Sequence, residues 1–450
     1  MSALAITVSE GMIILDQQLE PWIAKSAKNH AYVQNEKNIP ASAYYLLGSF
    51  TSEGDYHVAH VSKCPVPATA LTENSDEKSR LLDDTWMSDN GERVVRILPG
   101  GLNIVGIAWF STKKVFTESR NMITKTMVRL SKMNNSLTTL NMESITDTMV
   151  TVFVETPDTK PVGSVVDVVG KGNDSSTKVV FQKLEWISLV SNSSARVVFN
   201  VETNNDGRSD FYSDFTAMLK PFATNFFTCN TVLLDGQLRN DSEPLFKDLK
   251  KNKKTTVEAQ LFIDPLFNRT NESIECVAEN NHEMLFDIEV RAAVPVRSTV
   301  LEAKKALKHH LIRNLCARAE LHYESMEIVE NALPSTVVVH QLPRPATTVL
   351  YTHSAILLNE FLFEADSIED AQKNFDDMLD LQTSIEHVDD GWERALTEEE
   401  MTTMRQPLED VQFAEMGPEA PCCTTKTLLI TVGTIVGVIA TIIWLIISHS

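Results

Sequence analysis

Apolar residues recur along this chain in two rhythms, at every second position and at every third or fourth, and the switches between them outline alternating strands and helices. Residues 43–50 (AYYLLGSF) and 55–62 (DYHVAHVS) flank a polar turn containing Gly54, which predicts a β-hairpin. Strict alternation in the second strand puts Tyr56, Val58 and His60 on one face and His57, Ala59 and Val61 on the other. Residues 83–97 fit a helix with Trp86, Met87, Val94 and Val95 as apolar contacts, stopped by Leu98-Pro99-Gly100-Gly101. The segment after it, 102–110 (LNIVGIAWF, with Gly106 at its centre), is almost wholly apolar and reads as a strand buried on both faces. Phe116, Ile123, Met127 and Leu130 then lie at helical spacing, and 146–156 reads as a further strand.

The polar stretch 158–177, with its proline and glycines, is expected as a domain boundary. Beyond it, 178–190, 195–202, 256–264 and 284–294 read as strands, 210–226 as a helix, and Asp235-Gly236 as a hairpin turn. Thr299 and Glu302 form a capping box that opens a long helix with Val300, Ala303, Leu307, Leu311 and Leu315 on one side. Strands at 337–340 and 355–363 and a helix over 367–385 complete the pattern. The predicted fold class is α+β: a mixed domain over 1–160, a strand-rich domain over 178–385, an acidic linker over 386–426 and a single transmembrane helix over 427–447.

That last segment carries no charge from Thr427 to Ile447 and includes Gly433, Gly437 and Trp444. At about 1.5 Å rise per residue it spans roughly 31 Å as a helix, which matches the ~30 Å hydrocarbon core of a bilayer. Residues 1–22 lack a basic start and a small-residue cleavage site, so no secretory signal is expected and the bulk of the chain is assigned to the cytosol. A tail-anchored topology follows. Gly433 and Gly437 stand at the spacing of a small-residue packing motif, and Cys422 and Cys423, just before the anchor, are candidate lipidation sites.

Composition narrows the partners. The 450 residues carry a formal charge of −21, which argues against a nucleic-acid surface because phosphate contacts need clustered Lys and Arg. Six sparse cysteines do not resemble a disulfide framework. Six N-x-S/T sequons, at Asn134, Asn173, Asn192, Asn240, Asn268 and Asn271, stay bare in a cytosolic domain. His57 and His60, with Cys64 nearby, do not make a metal site on an alternating strand, since one ion needs convergent ligands. His309 and His310 read as surface or packing residues. No nucleophile elbow, phosphate loop or dinucleotide fingerprint occurs, and no cofactor is expected.

Two blocks carry a resemblance. Residues 81–116 (LLDDTWMSDNGERVVRILPGGLNIVGIAWFSTKKVF), with Trp86, Leu98, Pro99, Gly100, Gly101 and Gly106 as motif residues, resemble the odorant-response-abnormal protein four family. Residues 342–380 resemble that family's second block, and the terminal anchor also matches. The resemblance implies a tail-anchored, non-enzymatic adaptor that helps chemosensory seven-helix G-protein-coupled receptors fold, leave the endoplasmic reticulum and reach cilia, hence a role in olfaction and chemotaxis. It also implies recruitment of a ubiquitin-fold-modifier-specific cysteine protease to the reticulum and transport vesicles. The order of the N-terminal elements is similar to an MPN (JAMM-type) domain, but Trp109-Phe110-Ser111 stands where active members carry a zinc-binding His-x-His pair, so an inactive domain is expected. The competing expectation is a membrane-bound hydrolase with a dispersed cysteine or serine site.

Overall fold

A computed structural model of the protein describes residues 11–37, 39–67, 82–134, 147–170, 174–200, 211–246, 255–262, 281–325, 338–363 and 365–391. All of these lie in one compact unit that ends at Met401. The linker from 392 onward, the anchor with Thr427, Gly433, Gly437, Trp444 and Ile447, and the Cys422-Cys423 pair lie outside the described residues. Among the described residues no helix is long and apolar enough to cross a membrane.

The first layer runs β1 (Ile13–Asp16), α1 (Leu19–Lys37), β2 (Ala41–Phe50), β3 (Tyr56–Lys63), α2 (Asp84–Ile97), β4 (Asn103–Ser111), α3 (Lys113–Asn134) and β5 (Thr148–Glu155). It continues with β6 (Pro161–Asp167), β7 (Asp174–Thr177) and β8 (Val179–Gln182). Their sheet has the order β7-β6-β5-β4-β2-β3-β1-β8. Residues 158–177, expected as a boundary, therefore supply two strands of this sheet. Asp174–Thr177 pairs with β6 at one end of the sheet and Val179–Gln182 pairs with β1 at the other, with only Lys178 between them. One extended segment thus joins the two ends, and the sheet curls on itself.

Leu19, Ile23 and Ala27 of α1 pack on one face with Tyr44, Val58, Phe110 and Val152. The other face carries α2 and α3 through Met87, Val94, Ile123, Met127 and Leu130. As its apolarity predicted, β4 is buried at every position.

The second layer contains β9 (Trp186–Asn200), α4 (Phe211–Thr228), β10 (Val232–Leu234), β11 (Gln237–Leu238), β12 (Thr256–Leu261), β13 (Asn281–Pro295), α5 (Val300–Ser325) and β14 (Val338–Gln341). The sheet order is β11-β10-β12-β9-β13-β14, and β9 and β13 pair antiparallel over all 15 residues. The run 178–190 is not one strand: its first part closes the first sheet and its second part joins 195–200 in β9. Asp235 and Gly236 take φ of 52° and 72°, which gives the expected hairpin turn between β10 and β11.

A third, small sheet was only half anticipated. It has the order β16-β15-β17, from β15 (Arg344–Val349), β16 (Leu357–Leu362) and β17 (Val388–Asp389), with α6 (Ile368–Leu379) beside it. β15, which contains Pro345, was not among the expected strands. The capping box of Ser367 and Asp370 opens α6 as expected, but the helix ends at Leu379, where Asp380 turns left-handed (φ 53°), six residues short of 385. Although 344–385 fall within the expected second domain, Ala346, Ile356, Leu358, Phe375 and Leu379 share a core with α2 and α3 of the first layer, and Val388–Asp389, expected as the start of the linker, are a strand because they pair with β15.

Candidate functional site

Four of the motif residues of the first block, Leu98, Pro99, Gly100 and Gly101, meet at a joint, while Trp86 and Gly106 lie apart from it. Asp83 caps α2 by accepting from the Trp86 N–H at 2.7 Å, and the Trp86 indole donates to the Pro65 carbonyl at 2.8 Å. At the helix end Leu98 turns the chain into extended backbone, and Gly101 follows at φ 86°. Gly100 lies beside β13: its carbonyl accepts from Ala293 N–H at 2.8 Å, and its own N–H is shared between the Arg291 carbonyl (3.2 Å) and His310 Nδ1 (3.1 Å). A Cβ on Gly100 would strike the Ala306 carbonyl oxygen, and one on Gly101 the Ala293 carbonyl oxygen. Gly106 is needed for a different close approach, because a Cβ there would strike the Val150 carbonyl of β5.

Arg313 completes the joint. Its guanidinium is buried and donates to the carbonyls of Leu98 (2.8 Å), Pro99 (2.7 Å) and Leu102 (3.3 Å) and to the Asn103 side chain (3.1 Å). Burial pulls its pKa down to about 10. The same helix, α5, reaches the first layer at both ends: Glu302 accepts from Ser52 N–H at 2.8 Å, and Glu320 pairs with Arg96 at 3.1 Å. At 100° per residue, 302, 310, 313 and 320 fall within about an 80° arc of the helix. The rest of α5 faces the second core through Val300, Ala303, Leu307, Leu311 and Leu315. The two adjacent histidines, open between surface and packing, are packing residues: His309 lies edge-on to Phe227 at 5.2 Å, and burial pushes its pKa down to about 4. His310, wholly buried, is pushed down to about 3.

The Trp109-Phe110-Ser111 stretch of β4 is packed. Trp109 and Phe110 are fully buried, and the Trp109 indole donates to Ser111 Oγ at 3.1 Å. On β3 the expected alternation fails, because the register with β2 shifts so that Leu47 faces His60 while Gly48 faces Val58. Val58 and Val61 consequently share one face, and His60 turns to the other, where Nε2 meets the Leu379 carbonyl at 2.8 Å. His60 ties α6 to the first sheet rather than holding a ligand. Among the described residues no group of three or more His, Cys, Asp or Glu could hold a metal ion.

Two of the described thiols are ill-suited to attack. Burial pushes Cys64 up to about 11 and Cys316 up to about 12, whereas a cysteine nucleophile needs a lowered pKa.

Among the described residues a cleft of about 1000 Å³ opens between α1 and the end of α6. Trp22, Lys25 and His30 form the α1 wall, and Ser42, Tyr44 and Lys63 the floor. Asp377 and Asp380 face them from α6, and Tyr351, 75% exposed, stands at the rim. His30 is buried and bonds Ser42 Oγ through Nδ1 at 2.8 Å, while its Nε2 has no hydrogen-bond partner among the described residues. Sequence reasoning passed over these residues, since α1, β3 and α6 are far apart in the chain and only packing brings them together.

A mixed α+β scaffold in which the turn after α2 forms an internal joint with β13 and α5 defines the class. The chain belongs to the family described as Odorant response abnormal 4-like, whose model matches residues 44–390. It is 61% identical over 448 residues to Odorant response abnormal protein 4 of Caenorhabditis elegans, covering 99% of this chain and 94% of that protein. It is 22% identical to Protein odr-4 homolog of Mus musculus, covering 90% and 92% of the two chains. The crystal structure of UfSP from C. elegans superposes with a TM-score of 0.39 at 10% identity, covering 82% of this chain and 56% of that one, too distant a likeness to bear on fold or function.

Proposed function

We propose that this protein is a non-enzymatic, membrane-anchored adaptor for chemosensory seven-helix receptors, acting in their folding, exit from the endoplasmic reticulum and delivery to cilia. It also recruits a ubiquitin-fold-modifier-specific cysteine protease to the membrane. The observation that carries this reading is similarity along nearly the whole chain to a relative named for an abnormal odorant response. In this reading the first layer is an MPN-like domain without zinc chemistry. The raised thiols of Cys64 and Cys316 speak against the hydrolase alternative at those positions. In this reading the run 427–447 anchors the protein in the reticulum and transport vesicles of sensory neurons, with the bulk in the cytosol. Anchoring raises the effective concentration of both partners on one surface.

Affinity capture of the protease, and receptor delivery to cilia, should be compared with and without residues 427–450. Capture is expected to survive the deletion while delivery fails. If delivery also survives, or if the purified chain cleaves a modifier conjugate without added protease, the adaptor reading falls.

A further inference from the structure

We propose that the cleft between α1 and α6 binds an extended peptide segment of a partner protein, one that carries an acidic and a basic residue on either side of an apolar or aromatic one. The inference rests on the adaptor reading and gives it a docking surface. Four charged side chains line the cleft: Lys25 and Lys63 on the α1 and β3 side, Asp377 and Asp380 on the α6 side. No ion pair joins any of the four to another described residue, so each sign stands free to meet its opposite on a ligand.

Trp22, Tyr44 and Tyr351 add aromatic surface to a cleft lined mainly by polar groups. Trp22 is held edge-on against Tyr44, with centroids 4.9 Å apart, so its ring is fixed. Tyr351 projects at the rim from a tight turn, in which Leu350 N–H donates to the Ile356 carbonyl and His353 N–H to the Leu350 carbonyl. An aromatic presented on a hydrogen-bonded turn and left 75% exposed offers a partner a large contact area. The volume of about 1000 Å³ stands at the top of the roughly 300–1,000 Å³ range of small-molecule sites, and the cleft is half open to solvent, which suits a length of chain better than an enclosed metabolite. Charges of opposite sign on facing walls also set the direction in which such a segment lies.

The test is selection of random octapeptides displayed on phage against the full chain held in nanodiscs. Enrichment of octapeptides that pair one acid and one base about an apolar residue is expected. Tyr351→Ala should weaken the binding of an enriched peptide at least tenfold, and the double variant Lys25→Glu, Lys63→Glu should remove the demand for the acid. All three positions are exposed, so an unchanged melting temperature will show that the variants fold. Three results overturn the proposal: no enrichment over empty nanodiscs, enrichment indifferent to both variants, or displacement of the peptides by phosphatidylcholine vesicles, which would assign the cleft to lipid. Peptide binding without protease capture would sink the adaptor reading and leave the cleft standing; protease capture without peptide binding would do the reverse.

Discussion

Gly101 and Gly236 both sit at positive φ, 86° and 72°, yet they answer to different constraints. A Cβ at Gly236 meets nothing within 4 Å, so Gly236→Ala carries only the left-handed backbone cost of roughly 1–2 kcal/mol. Gly101→Ala carries that cost and also drives a methyl into the Ala293 carbonyl, for about 1–3 kcal/mol more. Urea midpoints of the two variants should therefore differ clearly, and equal midpoints would show that the joint gives way to accommodate the methyl. His310 adds a pH dependence. Its Nδ1 accepts from Gly100 N–H, so the folded state holds the ring neutral, and its pKa falls to about 3 while His309 falls to about 4. The unfolded chain takes up these protons near pH 6.5 and the folded chain does not. Stability is thus full above that value and is lost as pH falls from about 6.5 toward 4, by about 1.4 kcal/mol per pH unit per histidine. Glu360, raised to about 7 by burial, and Glu320, also raised, work the other way, while burial lowers His30, His57, His60, His322 and His353 in the same sense as the pair. Urea midpoints at pH 7.5 and pH 5 should fall with acid, and His310→Gln should flatten that dependence. The turn around Gly100 and Gly101 was legible in the sequence, because paired glycines after a proline announce themselves. What the turn abuts was not, since Arg313 stands more than two hundred positions away and reads there as one more solvated charge.

Among the elements, α5 shows why. Its apolar stripe was read correctly, and the capping box is present, with Thr299 N–H donating to Glu302 at 2.6 Å. Its polar residues, however, are buried as well. Lys304 donates to the Asn230 carbonyl and to Asp241, and Lys308 donates to the carbonyls of Phe227 and Cys229, so the two lysines close the C-terminal end of α4. Cations at that end also meet the negative pole of the helix. Lys308→Met should leave those carbonyls without their donor at a cost of about 1–3 kcal/mol. The expected sign is faster amide hydrogen exchange over the last turn of α4, and unchanged exchange there would show that the lysine is dispensable. On β3 a related limit applies. Alternation is a local rule, and it failed at His60 because the register shift belongs to the pairing with β2 rather than to the strand's own residues.

For the whole molecule, periodicity identified most strands and helices but not which sheet each would enter. The run 178–190 looked like one strand and serves two sheets; residues 344–389 follow the second layer in sequence and pack on the first. Such choices are settled by long-range pairing, which leaves no mark on a local pattern. The small third sheet has a mechanical consequence. The last described strand, β17, is held to β15 by two residue pairs, Thr347 with Asp389 and Thr348 with Val388, by the Thr347 and Thr348 hydroxyls on the Asp389 and His387 carbonyls, and by an ion pair of Arg344 with Asp390. Tension arriving from the C-terminal side would peel these few links first, then the contacts of Thr383 with Gln372 and Asp376, before it loaded α6. The strand would act as a fuse that yields cheaply, sparing the joint at Gly100 and the buried cores behind it from any pull along the chain.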